Sequence, residues 1–202
     1  MTSEATLVSV LRHGEVAGPA HVFRGRSDPP LTTRGLAQMR NVVGDRRFDS
    51  VATSPLLRCR AFAEQLSAEQ GIACRALADM RELDFGDWEG MRGAEAAERD
   101  AEAYERFQLR ADSASAPGGE TLGAFRRRVL AAWQAWLADA DGGHRLLVVH
   151  AGVMRILLQH LLDLPAQSLY RVALPEAAQF QVSLLAGEAP VLMKLNACAD
   201  SF

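Results

Sequence analysis

Residues 6–14, TLVSVLRHG, and residues 145–152, RLLVVHAG, are the two stretches that decide the fold. Each is a short apolar run that ends on a histidine with a glycine close behind it, which is typical of a buried strand that stops at a functional turn. Ligands of parallel sheets bind beyond the carboxyl ends of the strands. We therefore predict that His13 and His150 meet at one edge of a sheet.

Strand and helix patterns alternate along most of the chain. Further strands are predicted over 49–53, 73–77, 174–185 and 191–195, and helices from the cap Thr32 to Gly44 and over 54–67, 94–109, 120–140 and 153–162. Such alternation predicts an α/β fold, a three-layer α/β/α sandwich with a mostly parallel central sheet. We expect one domain over 1–202 with a helical cap segment at about 91–116. The last strand is expected near an edge, because Pro190 precedes it and Lys194 lies within it.

Composition excludes several classes of protein. The chain has 202 residues, of which 49% are hydrophobic and 23% charged, as in an ordinary globular protein. Its 22 Lys and Arg residues against 25 Asp and Glu residues give a net charge of -3, so no overall positive field attracts nucleic acid. No apolar run approaches the length of a membrane span. The three cysteines are scattered and favour a reducing compartment, so we expect a cytoplasmic protein.

The sequence Arg12-His13-Gly14 is suited to receiving a phosphoryl group. Neutral imidazole is a nucleophile when a hydrogen bond holds its second nitrogen and fixes the tautomer. Gly14 allows the main chain to approach closely, and the Arg12 guanidinium matches the oxygens of a phosphoryl group. Taken alone, the tripeptide is also readable as a chance occurrence.

The sequence Ser54-Pro55-Leu56-Leu57-Arg58 joins the second strand to a helix. An anion at the start of that helix would meet unpaired backbone N–H groups, the positive end of the helix dipole and Arg58. Taken singly, Arg58 reads as a solvated arginine and His150 as a satisfied core histidine. Together with His13 they become candidates for phosphate binding.

Residues 81–90, RELDFGDWEG, form an acidic and aromatic loop with two glycines. The neighbouring rings could keep the carboxyl group of Glu82 protonated near neutral pH, as a general acid requires. Glu89 is the competing carboxylate of the same loop, and the residues alone leave the choice open.

No metal ion and no cofactor are predicted. The remaining histidines lack the spacing of a metal site, and the glycines fit neither a phosphate-binding loop nor a dinucleotide fingerprint. The loop and helix arginines Arg24, Arg26, Arg92 and Arg99 are read as solvated, with an extension of the anion site as the alternative.

Taken together, the motifs resemble the histidine phosphatase superfamily, with its phosphoglycerate mutase-like fold. They run in order along the chain: Leu11-Arg12-His13-Gly14-Glu15, Gly25-x-x-Asp28-x-Pro30-Leu31-Thr32-x-x-Gly35, Ser54-Pro55-Leu56-x-Arg58, Glu82-x-x-x-Gly86-x-x-Glu89-Gly90, Gly118-Gly119-Glu120 and Val149-His150-Ala151-Gly152. Two positions depart from the family pattern, since Val16 and Phe62 stand where the family usually has threonine.

The resemblance implies a role for each matching residue. His13 becomes the nucleophile that carries the phosphoryl group, with Arg12 and Arg58 as the phosphate clamp. His150 becomes a further phosphate donor, and Glu82 the acid that protonates the leaving alkoxide and then activates water. Gly14, Gly25 and Ala151 complete the predicted phosphate and substrate contacts.

The short segment after Glu82 separates subfamilies. Only 37 residues lie between Glu82 and Glu120, whereas the cofactor-dependent mutases carry a long insertion there. The chain has Asp-Pro-Pro-Leu-Thr at residues 28–32 and Pro-Gly-Gly-Glu at residues 117–120. Short members of the family with these sequences resemble the α-ribazole phosphatases.

The leading hypothesis is a metal-independent phosphomonoesterase that acts on a small phosphate ester, with α-ribazole 5′-phosphate as the best single substrate. The alternatives are a cofactor-dependent phosphoglycerate mutase and a non-catalytic phosphate-binding module. Besides its substrate, a second copy of the chain is the one partner that we expect. The last strand would pair across a two-fold axis unless the tail 197–202 covers it.

Overall fold

The structure is a computed structural model that describes residues 4–109, 111–138, 142–165, 168 and 170–196. Its strands are β1 (Thr6–Arg12), β2 (Ser50–Thr53), β3 (Cys74–Ala76), β4 (His144–Val149), β5 (Gln179–Leu184) and β6 (Val191–Asn196). Its α-helices are α1 (Thr33–Val43), α2 (Leu57–Gln70), α3 (Gly93–Arg99), α4 (Ala101–Gln108), α5 (Leu122–Leu137) and α6 (Ala151–Leu161), with 3-10 turns at Ala78–Met80 and Gly86–Trp88.

The six strands form one sheet in the order β3-β2-β4-β1-β5-β6. The first three pairings in that order are parallel, and β5 and β6 are antiparallel to their neighbours. The predicted mostly parallel sheet is therefore confirmed, and so is the position of the last strand at an edge. Because β1 and β4 are parallel neighbours, their carboxyl ends lie side by side.

Each face of the sheet packs against its own layer of helices. Along β4, Leu147 and Val149 point into one core together with residues of α5 and α6, while Leu146 and Val148 point into a second core with residues of α1 and α2. This is the period-two alternation of a strand buried on both faces. The predicted α/β/α sandwich follows from it.

Most predicted boundaries shift by a few residues for local reasons. Helix α2 begins at Leu57 rather than at the Ser54-Pro55 pair, and it runs beyond 67 to Gln70, where Gly71 ends it in the left-handed region. The single helix expected over 94–109 is two helices, because Asp100 leaves the helical region and its side chain accepts a hydrogen bond from the Ala103 N–H. The break turns the chain within the predicted cap segment.

The strand expected over 174–185 is shorter, since β5 begins at Gln179. The preceding residues form an irregular segment that is tied to the end of β1. Arg12 donates its backbone N–H to the Ala178 carbonyl, and the Ala177 N–H donates to the His13 carbonyl. These backbone hydrogen bonds to Arg12 and His13 hold residues 177–178 outside the regular strand, so β5 begins later than predicted.

Candidate active site

The structure brings His13 and His150 together at the carboxyl ends of β1 and β4. Their ring centroids are 5.4 Å apart in an edge-to-face arrangement, and the His13 N–H donates to the Val149 carbonyl at 3.0 Å. The sheet register places them there, because Arg12 pairs with Val149. The predicted meeting at one sheet edge is confirmed.

The His13 ring is held as a neutral imidazole with one nitrogen free. Its Nδ1 lies 2.8 Å from the Gly14 carbonyl oxygen, and because a carbonyl only accepts, Nδ1 carries the proton. Burial, followed by the charges of Arg12 and Arg58, lowers the pKa of His13 well below 6.5. Nε2 therefore keeps its lone pair at neutral pH.

Arg12 lies against the same cavity as His13. Its Nη1 donates to the Leu174 carbonyl at 2.6 Å, which fixes the guanidinium, while its buried Nε has no hydrogen-bond partner among the described residues. A guanidinium with an unused buried donor is suited to an anionic ligand.

Arg58 lies behind the cavity wall and is fully buried. Its Nη2 donates to the carbonyls of Arg24 and Gly25, Nη1 donates to Ser27, and Nε donates to His150 Nδ1 at 3.3 Å. The guanidinium therefore holds the 24–27 loop and orients His150. Its role in a phosphate clamp stays a prediction.

His150 is fully buried and is held from both ring nitrogens. Because Nδ1 accepts from Arg58, Nε2 carries the proton and donates to Ser54 Oγ at 2.7 Å. Burial and the charge of Arg58 lower the pKa of His150 well below 6.5. Like the clamp role of Arg58, the predicted donation from His150 to phosphate stays a prediction.

The start of α2 differs from the expected anion site. The Leu57 N–H donates to Asp28 Oδ2 at 2.8 Å, and Asp28 also forms an ion pair with Arg58 at 3.7 Å. A carboxylate of the chain itself therefore occupies the position proposed for an external anion, which explains Asp28 in the loop motif.

The two candidate carboxylates have different surroundings. Glu82 lines the cavity, and its Oε2 accepts the Gly152 N–H at 2.9 Å. A Cβ atom at Gly152 would lie 2.1 Å from Glu82 Oε1, so the close approach requires glycine there. Glu89 instead accepts the backbone N–H groups of four loop residues, Gly25, Arg26, Ser27 and Phe85. Its oxygens are used inside the loops, which leaves Glu82 as the carboxylate of the cavity.

The three remaining predicted contacts lie around the same site. Gly14 supplies the carbonyl that holds His13, and Ala151, the first residue of α6, lines the cavity. Gly25 uses its N–H on Glu89 and its carbonyl on Arg58, so it supports the loop. The two departures from the family pattern, Val16 and Phe62, are buried apolar side chains.

A cavity of about 240 Å³ opens in front of His13. Arginine and carboxylate groups line its floor, and aromatic rings form much of its wall. The rings belong to Phe23, Phe85, Phe107, Phe125 and Tyr170. Such a wall can pack against a flat apolar group of a ligand.

Two arginines of this cavity were not among the predicted site residues. Arg24 lines the cavity, which favours the alternative interpretation of this arginine as an extension of the anion site, and it donates to the Pro19 carbonyl at 2.8 Å. Arg155 lines it as well, with Cζ 4.7 Å from the centre of the Tyr170 ring and a buried Nε that has no partner among the described residues. Its spacing of four from Ala151 on α6 is a helical signal that could have pointed to it.

The described part of the chain contains no cluster of three or more His, Cys, Asp or Glu side chains that could hold a metal ion. Over the same residues, no helix combines the length and apolar character that crossing a bilayer requires.

Residues 8–197 match the model of the histidine phosphatase superfamily, branch 1, so the chain belongs to that family. It is 30% identical over 194 residues to the adenosylcobalamin/alpha-ribazole phosphatase of Salmonella typhimurium, covering 94% of this chain and 96% of that one. The "Probable phosphoglycerate mutase GpmB" of Klebsiella pneumoniae is 32% identical over 173 residues, covering 83% and 80%. Among solved structures, the alpha-ribazole phosphatase of Shigella flexneri superposes with a TM-score of 0.83 at 27% identity, covering 96% and 98%.

Proposed function

We propose that the chain is a metal-independent phosphomonoesterase that works through a phosphohistidine at His13. The observation that carries the proposal is the His13 ring: Nδ1 is fixed by the Gly14 carbonyl, and the free Nε2 belongs to a neutral imidazole at the cavity. A neutral imidazole in this tautomer is an activated nucleophile.

In the first step, His13 Nε2 attacks the phosphorus atom and the bond from phosphorus to the ester oxygen breaks. The leaving alkoxide takes a proton from the Glu82 carboxyl group, which lines the same cavity. Arg12 neutralises the charge on the phosphoryl oxygens, for which its unpartnered Nε is a donor. Arg58 and His150 are the other members of the proposed phosphate site. Their donors bind the 24–27 loop and Ser54 in this structure, so direct contact with phosphate requires an exchange of these hydrogen bonds.

In the second step, a water molecule attacks the phosphohistidine and Glu82 accepts its proton. The nitrogen–phosphorus bond breaks, inorganic phosphate leaves, and His13 returns to its neutral form. One carboxyl group serves as acid and then as base, as microscopic reversibility requires.

The proposed substrate is a small phosphate ester, with α-ribazole 5′-phosphate as the first compound to test. The aromatic wall supports this choice, because a ribonucleotide with a planar apolar base offers a ring to pack against it. The named activity of the Salmonella and Shigella relatives supports it independently. The cap segment 91–116 would control access, since Phe107 of α4 lies in the cavity wall.

The proposal is tested with p-nitrophenyl phosphate in the presence of a chelator. We expect full activity for the wild type and for His160→Ala, whose histidine is exposed on α6, and loss of turnover for His13→Ala. Equal activity of wild type and His13→Ala would end the proposal. Acid-labile labelling that maps away from His13 would also overturn it.

A panel of phosphate esters, ranked by kcat/KM, separates the remaining candidates. We expect α-ribazole 5′-phosphate to rank above sugar phosphates that lack a base. The second candidate is a phosphoglycerate mutase, because the Klebsiella relative carries that name. Formation of 2-phosphoglycerate from 3-phosphoglycerate faster than release of phosphate would favour it. Tight binding of phosphate esters without turnover would favour the binding module.

The proposal includes a cytoplasmic location and self-association through β6. The edge strand exposes Val191, Met193 and Leu195 by 55%, 60% and 44%, and among the described residues no further strand pairs with its outer side. The tail 197–202, the competing cover, lies outside the described residues. Light scattering on a size-exclusion column should give a dimer for the wild type and a monomer for Met193→Lys, whereas a monomeric wild type contradicts the pairing.

A further inference from the structure

Arg128, on α5, joins the segment that carries Glu82 to the Gly118-Gly119-Glu120 motif. Its Nε and Nη2 form a bidentate pair with the Glu120 carboxylate, both at 2.8 Å. The pair is well shielded, with side-chain exposures of 11% for Arg128 and 17% for Glu120. The mechanism proposed above gives neither residue a role.

The remaining N–H donors of Arg128 bind backbone carbonyl groups in the segment 79–82, which leads into the cavity. Nη1 donates to the carbonyls of Asp79 and Arg81 at 2.6 and 2.8 Å, and Nη2 donates to the Glu82 carbonyl at 3.0 Å. With the two bonds to Glu120, these contacts use all five N–H groups of the guanidinium. Arg128 is therefore committed to the protein and has no donor left for a ligand.

Glu82 is thereby fixed at both ends. Its backbone carbonyl is held by Arg128, and its carboxylate oxygens accept the N–H groups of Leu83 and Gly152 at 2.9 Å. The contact to Gly152 connects the carboxylate to the start of α6, beside His150. A displacement of the backbone at residue 82 would move the carboxylate away from both.

Glu120 connects the ion pair to the part of the 81–90 loop that follows Glu82. Its backbone N–H donates to the Asp84 carbonyl at 3.0 Å, so the Arg128–Glu120 pair contacts the chain on both sides of Glu82. The guanidinium also lies over the Phe125 ring, 4.8 Å from its centre, and Phe125 belongs to the cavity wall. The ion pair is thus part of the support beneath one side of the cavity.

We propose that Arg128 and Glu120 are positioning residues that set the distance between the Glu82 carboxyl group and the leaving oxygen of the substrate. The inference rests on the proposed role of Glu82 as general acid. Proton transfer depends steeply on geometry, so a small backbone shift at residue 82 reduces that step without removing His13 or Arg12.

The test compares two leaving groups by kcat/KM, which reports the steps up to phosphorylation of His13. An alkyl phosphate such as ribose 5-phosphate needs a proton from the acid, whereas p-nitrophenolate leaves without one. For Arg128→Gln we expect kcat/KM to fall at least about tenfold further on the alkyl ester than on p-nitrophenyl phosphate, as part of the 10²–10⁴ that a general acid supplies. Arg128→Lys, which keeps the charge and some donors, should recover part of that difference.

If Arg128→Gln does not fold, Glu120→Gln tests the same inference. We expect the same selective loss of kcat/KM on the alkyl ester, but a smaller one. The matched control is Arg40→Gln, which breaks a bidentate pair with Glu69 between α1 and α2, away from the cavity. It should lower kcat/KM equally on both esters or leave it unchanged. Equal losses on both esters for Arg128→Gln and Glu120→Gln would overturn the inference.

Glu82→Gln separates this inference from the proposed function. A selective loss in Glu82→Gln that is absent from the Arg128 and Glu120 variants overturns the positioning role and leaves the acid in place. If Glu82→Gln itself shows no selectivity between the esters, the acid assignment fails and the positioning role fails with it. Selective losses in all three variants support both.

Discussion

Glu82 and Glu89 are two carboxylates of one loop, and their substitution is expected to affect turnover differently. Glu89 accepts N–H groups from both the 25–27 segment and Phe85, and an amide offers only one acceptor oxygen for them. We expect Glu89→Gln to lower the free energy of unfolding by about 1 kcal/mol, the cost of leaving a partly buried donor such as the Gly25 or Phe85 N–H unpaired.

Glu82→Gln also leaves only one acceptor oxygen for the N–H groups of Leu83 and Gly152, so it should lower the free energy of unfolding by about 1–3 kcal/mol as well. It alone should also reduce turnover on alkyl phosphates by about 10²–10⁴. Urea unfolding and steady-state kinetics on both variants distinguish the two. The assignment of roles is wrong if Glu89→Gln loses turnover at unchanged stability.

The His13 pKa sets the acid side of the pH profile. Burial and nearby arginine charges, Arg24 among them, hold that pKa well below 6.5, so kcat/KM should fall on acidification only below pH 6.5. Removing a charge in Arg24→Gln should move this limb to higher pH. Arg26→Gln, which breaks an exposed ion pair with Asp84, is the control and should leave the limb in place. A wild-type limb above pH 6.5 contradicts the assignment.

Arg155 offers a separate test of substrate recognition. Its unpartnered Nε and its stacking on Tyr170 place a guanidinium at the cavity, away from any acid partner among the described residues. We expect Arg155→Met to raise KM about tenfold for a substrate whose leaving group carries a hydrogen-bond acceptor, through loss of a charged hydrogen bond. Phenyl phosphate, which lacks such an acceptor, should keep its KM. Equal changes in KM for both substrates would contradict a recognition role.

At the scale of elements, the end of β1 and the start of α1 meet through two glycines. A Cβ atom at Gly35 would lie 2.0 Å from the Glu15 carbonyl oxygen, and one at Gly14 would lie 2.1 Å from the Gly35 oxygen. Thr32 caps α1 beside this contact by accepting the Gly35 N–H. The glycines thus let the helix pack directly under the nucleophile.

We expect Gly35→Ala to destabilise the protein by about 1–3 kcal/mol and to lower turnover, because the displaced backbone carries the carbonyl that holds His13. Gly44→Ala serves as the control for loss of glycine at α1, since nothing lies within 4 Å of the added Cβ there. It should cost about 1 kcal/mol at its positive φ and leave kcat unchanged. An unaltered kcat in Gly35→Ala would contradict the link to the nucleophile.

Local signals predicted the elements wherever one short stretch decides the outcome. Thr32 and Gly44 fixed the ends of α1, and the apolar runs at Thr6–Arg12 and His144–Val149 fixed the central strands. Prediction failed where distant residues decide. Asp28 caps α2 from another loop, and hydrogen bonds to Arg12 and His13 displace the start of β5.

At the scale of the whole molecule, the sheet order explains how much of the site was predictable. Strands β1 and β4 carry His13 and His150 to one edge, which the strand pattern alone indicates. The choice between Glu82 and Glu89 depends on Gly152 and on the 25–27 loop, which are distant in sequence. The aromatic wall brings rings from five separate segments together, and periodicity within one element gives no signal for that.

The same buried histidines make the stability of the whole molecule depend on pH. In the folded chain the pKa values of His13 and His150 lie well below 6.5, and half-buried His144 is lowered as well. In the unfolded chain these rings take up protons near pH 6.5. Between that pH and the folded pKa values the unfolded state therefore binds more protons, so stability falls as the pH decreases.

The two buried rings set the expected change. Because an unfolded ring is half protonated at pH 6.5 and almost fully protonated at pH 5.5, each ring should lower the free energy of unfolding by about 1 kcal/mol over this interval, or about 2 kcal/mol for both. Urea unfolding between pH 6.5 and 5.5, above the range where most carboxylates titrate, measures it. His150→Gln removes one of the titrating rings and should reduce this change by about half, whereas His160→Gln, with an exposed ring, should leave it unaltered. A free energy of unfolding that stays constant over this interval would mean that the histidines are protonated in the folded protein, and the neutral nucleophile at His13 would be lost with it.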